Sequence, residues 1–138
     1  MKNIFLDSNV ILDAILKREG FETSAKVMQI GDYLSVKVCT SVLSIANIAY
    51  ILRKFCVPAD LKGILEILFK RMTVLTMGDM VVYNALRAGH PDFEDALQIA
   101  CADLGCCDLI ITRDKRHFQN LPIPVYTPEE FYKAVTES

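Results

Sequence analysis

Four carboxylates fall where the chain changes from one kind of element to the next. Asp7 directly follows the apolar run Ile4-Phe5-Leu6, and Asp114 lies just past Leu109-Ile110-Ile111-Thr112. Glu94 and Asp95 open the helical stretch that leads into that second run. Each alone has a structural explanation. Asp7 could cap the helix after it, although Ser8 or Asn9 could do so instead. Asp95 sits three residues after Asp92, the spacing of a capping box, and acids suit a helix N-terminus. Asp114 could begin a turn. As a group they pose a different problem. Two carboxylates ~4 Å apart repel by about 4 kcal/mol at an effective dielectric near 20, so a cluster of them asks for a cation. Hard oxygen donors with no histidine or thiolate expected nearby select Mg²⁺ or Mn²⁺ over zinc. Such an ion lowers the pKa of bound water and stabilises a departing oxygen, which is the chemistry of phosphodiester hydrolysis.

The elements that must position these acids follow from periodicity. Short apolar runs rich in β-branched residues predict strands at Ile4-Phe5-Leu6, 36–40, 72–76, 109–112 and 123–126. Helical spacing predicts helices over 9–18, 22–33, from Ser41 to about Cys56, from Pro58 to about Arg71, over 79–88, from Asp92 to Leu104 and from Pro128 onward. Strands alternating with helices imply an α/β fold with a central parallel sheet covered on both faces. In such sheets ligands bind beyond the carboxyl ends of the strands, at the point where strand order reverses. If the first strand and the 109–112 strand are neighbours, all four acids meet at one edge.

Composition bounds the rest. The 138 residues fit one domain, 52% of them are hydrophobic and the net charge is −2, which describes a compact chain rather than a broad electrostatic binder of nucleic acid. The five cysteines (Cys39, Cys56, Cys101, Cys106 and Cys107) show no CxxC spacing, and the expectation is core thiols rather than zinc or redox ligands. The longest apolar stretch, Val42 to Leu52, is interrupted by Ser44 and Asn47 and is far short of the ~20 residues a spanning helix needs. Asp7 and Asp13 interrupt what would be the apolar core of a signal peptide, so a cytoplasmic protein is expected. No glycine-rich phosphate loop and no GxGxxG is present.

Three segments in order resemble the signatures of the PIN domain family. They are Phe5-Leu6-Asp7-Ser8-Asn9, Phe93-Glu94-Asp95-Ala96-Leu97 and Ile110-Ile111-Thr112-Arg113-Asp114 with Phe118 beyond. Together they span essentially the whole chain. The resemblance implies a three-layer α/β/α sandwich with a parallel sheet of about five strands, and ribonuclease activity that depends on Mg²⁺ or Mn²⁺. It is strongest to the VapC-type toxins of toxin–antitoxin pairs, which implies an RNA substrate, an antitoxin partner and a homodimer. By the same resemblance Asp7, Asp95 and Asp114 are metal ligands, with Glu94 in the catalytic set. Ser8, Asn9, Asn47 and Thr112 are supporting residues, Asn9 by orienting Asp7.

One position departs from the pattern. Many PIN domains carry a Glu on the helix after the second strand, and here Asn47 stands in its place. Thr40, Ser44, Asn47 and Lys54 share one helical stripe that can face the cleft. Losing that acid keeps open a second reading, a PIN-like module that binds RNA or protein without cutting. Asp13 is left between a supporting role and solvent exposure. Tyr50, Leu52 and Phe55 are expected in the core, and neither His90 nor His117 is assigned a ligand role. A haloacid-dehalogenase-like phosphatase would need an acid where Asn9 stands. A receiver domain would need one after the strand at 73–76, where Met77 and Gly78 follow.

Overall fold

The computed structural model describes residues 2–137. Five strands, Lys2–Leu6 (β1), Val36–Ser41 (β2), Thr73–Leu75 (β3), Leu109–Ile111 (β4) and Val125–Tyr126 (β5), form one parallel sheet in the order β3-β2-β1-β4-β5. The helices are Ser8–Leu16 (α1), Phe21–Met28 (α2), Val42–Leu52 (α3), Pro58–Arg71 (α4), Asp79–Arg87 (α5), Phe93–Leu104 (α6) and Pro128–Thr136 (α7). β1 pairs with β2 on one side and with β4 on the other, so strand order reverses beside β1. The condition that brings the acids to one edge is met.

The two faces of the sheet follow from the period of two along each strand. Ile4 and Leu6 face an apolar layer built from α1, α2, α3, α4 and α7, including Ile11, Val27, Ile48, Leu68 and Phe131. Phe5, Cys39 and Ile110 face the opposite layer, where Val81 and Ala85 of α5 pack with Ala96 and Cys101 of α6. Three consecutive residues of β1 are therefore fully buried, as expected of a central parallel strand covered on both faces. The small residues Ala96, Ala100 and Ala102 let α6 lie close to the sheet, which fixes how deeply its N-terminus enters the cleft.

Element types match the sequence expectations except at three places, one of them a 3₁₀ turn over Lys115–Phe118 where a loop is expected. The second helix ends at Met28, and a 3₁₀ turn over Ile30–Asp32 replaces its last turn. Gly31 lies there against the backbone, where an added Cβ would come within 3.0 Å of the Val36 carbonyl oxygen. The third helix ends at Leu52 rather than near Cys56, and of the three residues expected in the core only Leu52 is buried. Tyr50 is 59% exposed on the helix, and Phe55, in the turn beyond it, is 65% exposed. Cys39, Cys101 and Cys107 are buried thiols as expected, while Cys106 is exposed. Among the described residues no helix is long and apolar enough to cross a membrane.

Candidate metal centre

Asp7 ends the approach to α1 in the N-cap position, yet its side chain makes no capping hydrogen bond. It turns instead to β4, where the Thr112 hydroxyl donates to Asp7 Oδ2 at 2.9 Å. The Asp7 amide donates to the Ile111 carbonyl at 3.0 Å, so both main chain and side chain are held from the neighbouring strand. Burial pushes the Asp7 carboxyl above its ordinary pKa, and the charge of Asp95 pushes the same way. The Thr112 hydroxyl and the Ser8 and Asn9 amides oppose this only in part. The side chain that holds Asp7 is Thr112.

Asp95 reaches the same cleft from α6. Capping is done by Asp92, whose Oδ1 accepts from the Asp95 amide at 3.0 Å, leaving the Asp95 side chain free for other work. Its Oδ2 is buried, with His117 Nδ1 beside it at 2.9 Å. Burial and the charge of Asp92 raise the Asp95 pKa, and His117 offsets part of the rise. Asp114 follows β4, its amide accepted by Thr112 Oγ1 at 3.1 Å. Arg116 beside it, at 3.2 Å, holds its carboxyl below the ordinary range, helped by His117.

These three aspartates line one cleft of about 310 Å³ with Ser8, Asn9, Asn47, Tyr50, Glu94, Gln98, His117 and Phe118. Every site residue expected from the sequence is in that lining except Thr112, which lies directly behind Asp7. Glu94 is exposed at the rim, and Asn47 is half-buried on α3. Asn47 therefore faces the cleft rather than the core.

Three residues contribute that sequence reasoning passed over or left undecided. His117 Nδ1 lies 2.9 Å from Asp95 Oδ2, and its Nε2 lies 3.3 Å from Asp114 Oδ2. Its spacing of three from Asp114 was the available signal. Gln98, one turn after Asp95, is buried and donates to Ser44 Oγ at 2.8 Å while accepting from the Ser41 hydroxyl. Ser41 also caps α3 through the Ser44 amide at 2.9 Å, so a closed polar network ties α3 to α6 beneath the cleft. Asp13 is buried and paired. Its Oδ2 lies 2.7 Å from Arg113 Nε, and Arg18 lies 3.6 Å from its other oxygen. Arg113 continues to Glu129 at 2.6 Å, the Gly20 carbonyl at 2.8 Å and Ser24 Oγ at 2.8 Å, which ties the Thr112-to-Asp114 segment to α1, α2 and α7.

A family model described as the PIN domain matches residues 3–116. The chain belongs to the PIN domain family. No curated protein matches it. Among solved structures, this PIN domain is similar to a toxin–antitoxin complex from Klebsiella pneumoniae, with 16% identity, TM-score 0.70, and 91% of this chain and 97% of that one covered. It is similar to VapBC-1 from nontypeable Haemophilus influenzae at 16% identity and TM-score 0.71, covering 92% and 98%. A third is VapC20 of Mycobacterium tuberculosis, a sarcin-ricin loop cleaving toxin, at 16% identity and TM-score 0.62, covering 88% and 98%. At these identities the likeness establishes the fold.

The donor set of this PIN domain fits a divalent cation. The buried Asp7 carboxylate and the repulsion between it and Asp95 are the features a cation would relieve. As placed, no three Asp, Glu, His or Cys side chains among the described residues stand close enough to hold one ion. Carboxylates facing one another without a counter-charge hold apart, and His117 occupies the space between Asp95 and Asp114.

Proposed function

We propose that this PIN domain is a ribonuclease that uses Mg²⁺ or Mn²⁺ to hydrolyse RNA phosphodiester bonds, and that it acts as the toxin of a toxin–antitoxin pair. The observation that carries the reading is the convergence of Asp7, Asp95 and Asp114 on one cleft. A bound divalent ion supplies an activated water and stabilises the charge of the departing oxygen. The chain's own residues do the positioning. Thr112 fixes Asp7, the Asp92 cap fixes the start of α6 behind Asp95, and the Ser41–Gln98–Ser44 network keeps α3 at a set distance from α6.

Single-stranded RNA suits the mouth of this cleft. The exposed Tyr50 ring lines it, with Arg53 4.1 Å and Lys54 5.5 Å from the ring centroid, which offers a base a stacking face and a phosphate two cations. Met80, Tyr83 and Leu86 are exposed along one side of α5, an apolar stripe of the kind a homodimer or an antitoxin would cover. The toxin assignment draws on the likeness to the Klebsiella and Haemophilus complexes.

The second reading, a PIN-like module that binds without cutting, is favoured by Asn47, which stands where many PIN domains carry a Glu. One experiment separates the two. Purified protein and an Asp7→Asn variant are incubated with RNA in Mn²⁺, in Mg²⁺ and in EDTA, and melted in parallel. A nuclease cleaves only with metal, loses cleavage in the variant, and is stabilised by about 2.7 kcal/mol when Mn²⁺ stands at a hundred times its dissociation constant. Cleavage unchanged by the variant, or no cleavage and no response to metal, refutes the assignment.

A further inference from the structure

His117 is the residue of this cleft whose chemistry differs from the rest. Its ring lies half-exposed between two of the three aspartates, with one nitrogen toward each. The contact with Asp95 is to Oδ2, a buried oxygen with no other partner among the described residues.

The main chain behind the ring is fixed to the same element that presents Asp95. The Asp92 amide donates to His90 Nδ1 at 2.9 Å, so His90 carries its proton on Nε2. That nitrogen lies 2.6 Å from the His117 carbonyl oxygen and donates to it. Asp92 is also the cap of α6, and Phe118 beside His117 is buried in the core. The imidazole and the Asp95 carboxylate are thus held against each other by one short chain of contacts, not by chance proximity of two surface side chains.

Their separation is that of neighbouring donors around one ion. Adjacent corners of an octahedron with bonds of about 2.1 Å lie ~3.0 Å apart. Nδ1 is 2.9 Å from Asp95 Oδ2, whereas Nε2 points away from that position toward Asp114. We propose that His117 is a nitrogen ligand of the metal centre, sharing the ion with Asp95, and that it biases the site toward Mn²⁺ over Mg²⁺. The proposal rests on the metal-centre reading above and goes further, since carboxylates alone accept both ions while imidazole favours transition metals.

The test uses the full chain loaded with Mn²⁺ and electron spin echo envelope modulation, which detects nitrogen bound to the ion. The sequence holds two histidines, His90 and His117, so the source of any imidazole signal can be assigned. The expected result is ¹⁴N modulation in the parent and in His90→Ala, and its loss in His117→Ala. By calorimetry His117→Ala should bind Mn²⁺ about tenfold more weakly, while its Mg²⁺ affinity changes less than about twofold. Because His117 is exposed, the variant should melt with the parent in EDTA. Mn²⁺ binding without nitrogen modulation overturns the proposal and leaves the carboxylate centre standing. Tighter Mn²⁺ binding by His117→Ala overturns it as well, because the ring would then occupy a coordination position rather than supply one. Absence of Mn²⁺ binding in the parent overturns both this proposal and the metal-centre reading.

Discussion

Arg113→Met is the substitution whose effect can be worked out furthest. Arg113 lies between Thr112, which orients Asp7, and Asp114. Its guanidinium reaches Asp13 at 2.7 Å and Ser24 at 2.8 Å, and both of those residues are buried. Removing one partner of a buried ion pair costs roughly 3–5 kcal/mol, most of it from the charge left behind. Arg18 remains 3.6 Å from Asp13, which puts the expected loss near the lower limit, about 3 kcal/mol. The Glu129 contact is half-exposed and adds at most about 1 kcal/mol. For a chain of this length a loss of about 3 kcal/mol lowers Tm by roughly 10 °C. Urea and thermal unfolding followed by circular dichroism measure this directly, with Asp13→Asn and the double variant completing a cycle. A coupling energy of about 2 kcal/mol or more is expected. Arg113→Lys should recover less than half of the loss, because a point charge cannot meet Asp13, Ser24, Gly20 and Glu129 together. Gly20→Ala should act on the same clamp. Gly20 has φ +81°, and a Cβ there would lie 2.7 Å from Arg113 Nη2, so about 1–2 kcal/mol is expected. A loss below about 1 kcal/mol for Arg113→Met, or an additive cycle, would refute the idea that this ion cluster holds the segment carrying Asp114.

Other expectations concern charge and thiols. In EDTA at pH 7, Asp7→Asn should raise Tm by several degrees, since it removes a buried charge and keeps an acceptor for Thr112. The pH dependence has a definite sign. The folded pKa of Asp7 lies above its ordinary value of 3.8, so the folded state binds the extra proton and the metal-free parent loses stability as pH rises through that window. The advantage of the variant should therefore vanish below about pH 3.5 and be full at neutrality; a variant less stable than its parent in EDTA at pH 7 would contradict the assignment of burial as the cause. Alkylation of the native protein followed by mass spectrometry should modify Cys106 first. Cys39, Cys101 and Cys107 are buried, and burial pushes the Cys101 thiol up to about 11. Rapid native labelling of Cys101 would show that α6 opens more readily than its packing implies.

The sequence by itself determined the alternation of strands and helices, because periods of two and of about 3.6 are properties of the chain. It also singled out the carboxylates that meet in one cleft, because Asp7 and Asp114 follow buried runs and Asp95 opens a helix already capped by Asp92. Caps and turns are local, so they can be read locally. The tertiary structure decided what those acids touch. Only the pairing of β1 with β4 places Thr112 against Asp7, a contact across 105 positions. The link from Arg113 to Asp13 and Ser24, and the Gln98 bridge between α6 and α3, likewise join residues that no periodic pattern connects. Asp13 could not be assigned from its place on a helix, because its burial depends on a partner beyond the fourth strand. Tyr50 and Phe55 appeared apolar enough for the core, but only tertiary packing decides which residues are covered, and it leaves both exposed. His117 was passed over for the same reason. Its spacing of three from Asp114 hints at one contact, but its place between two carboxylates exists only once α6 and the end of β4 have been brought together.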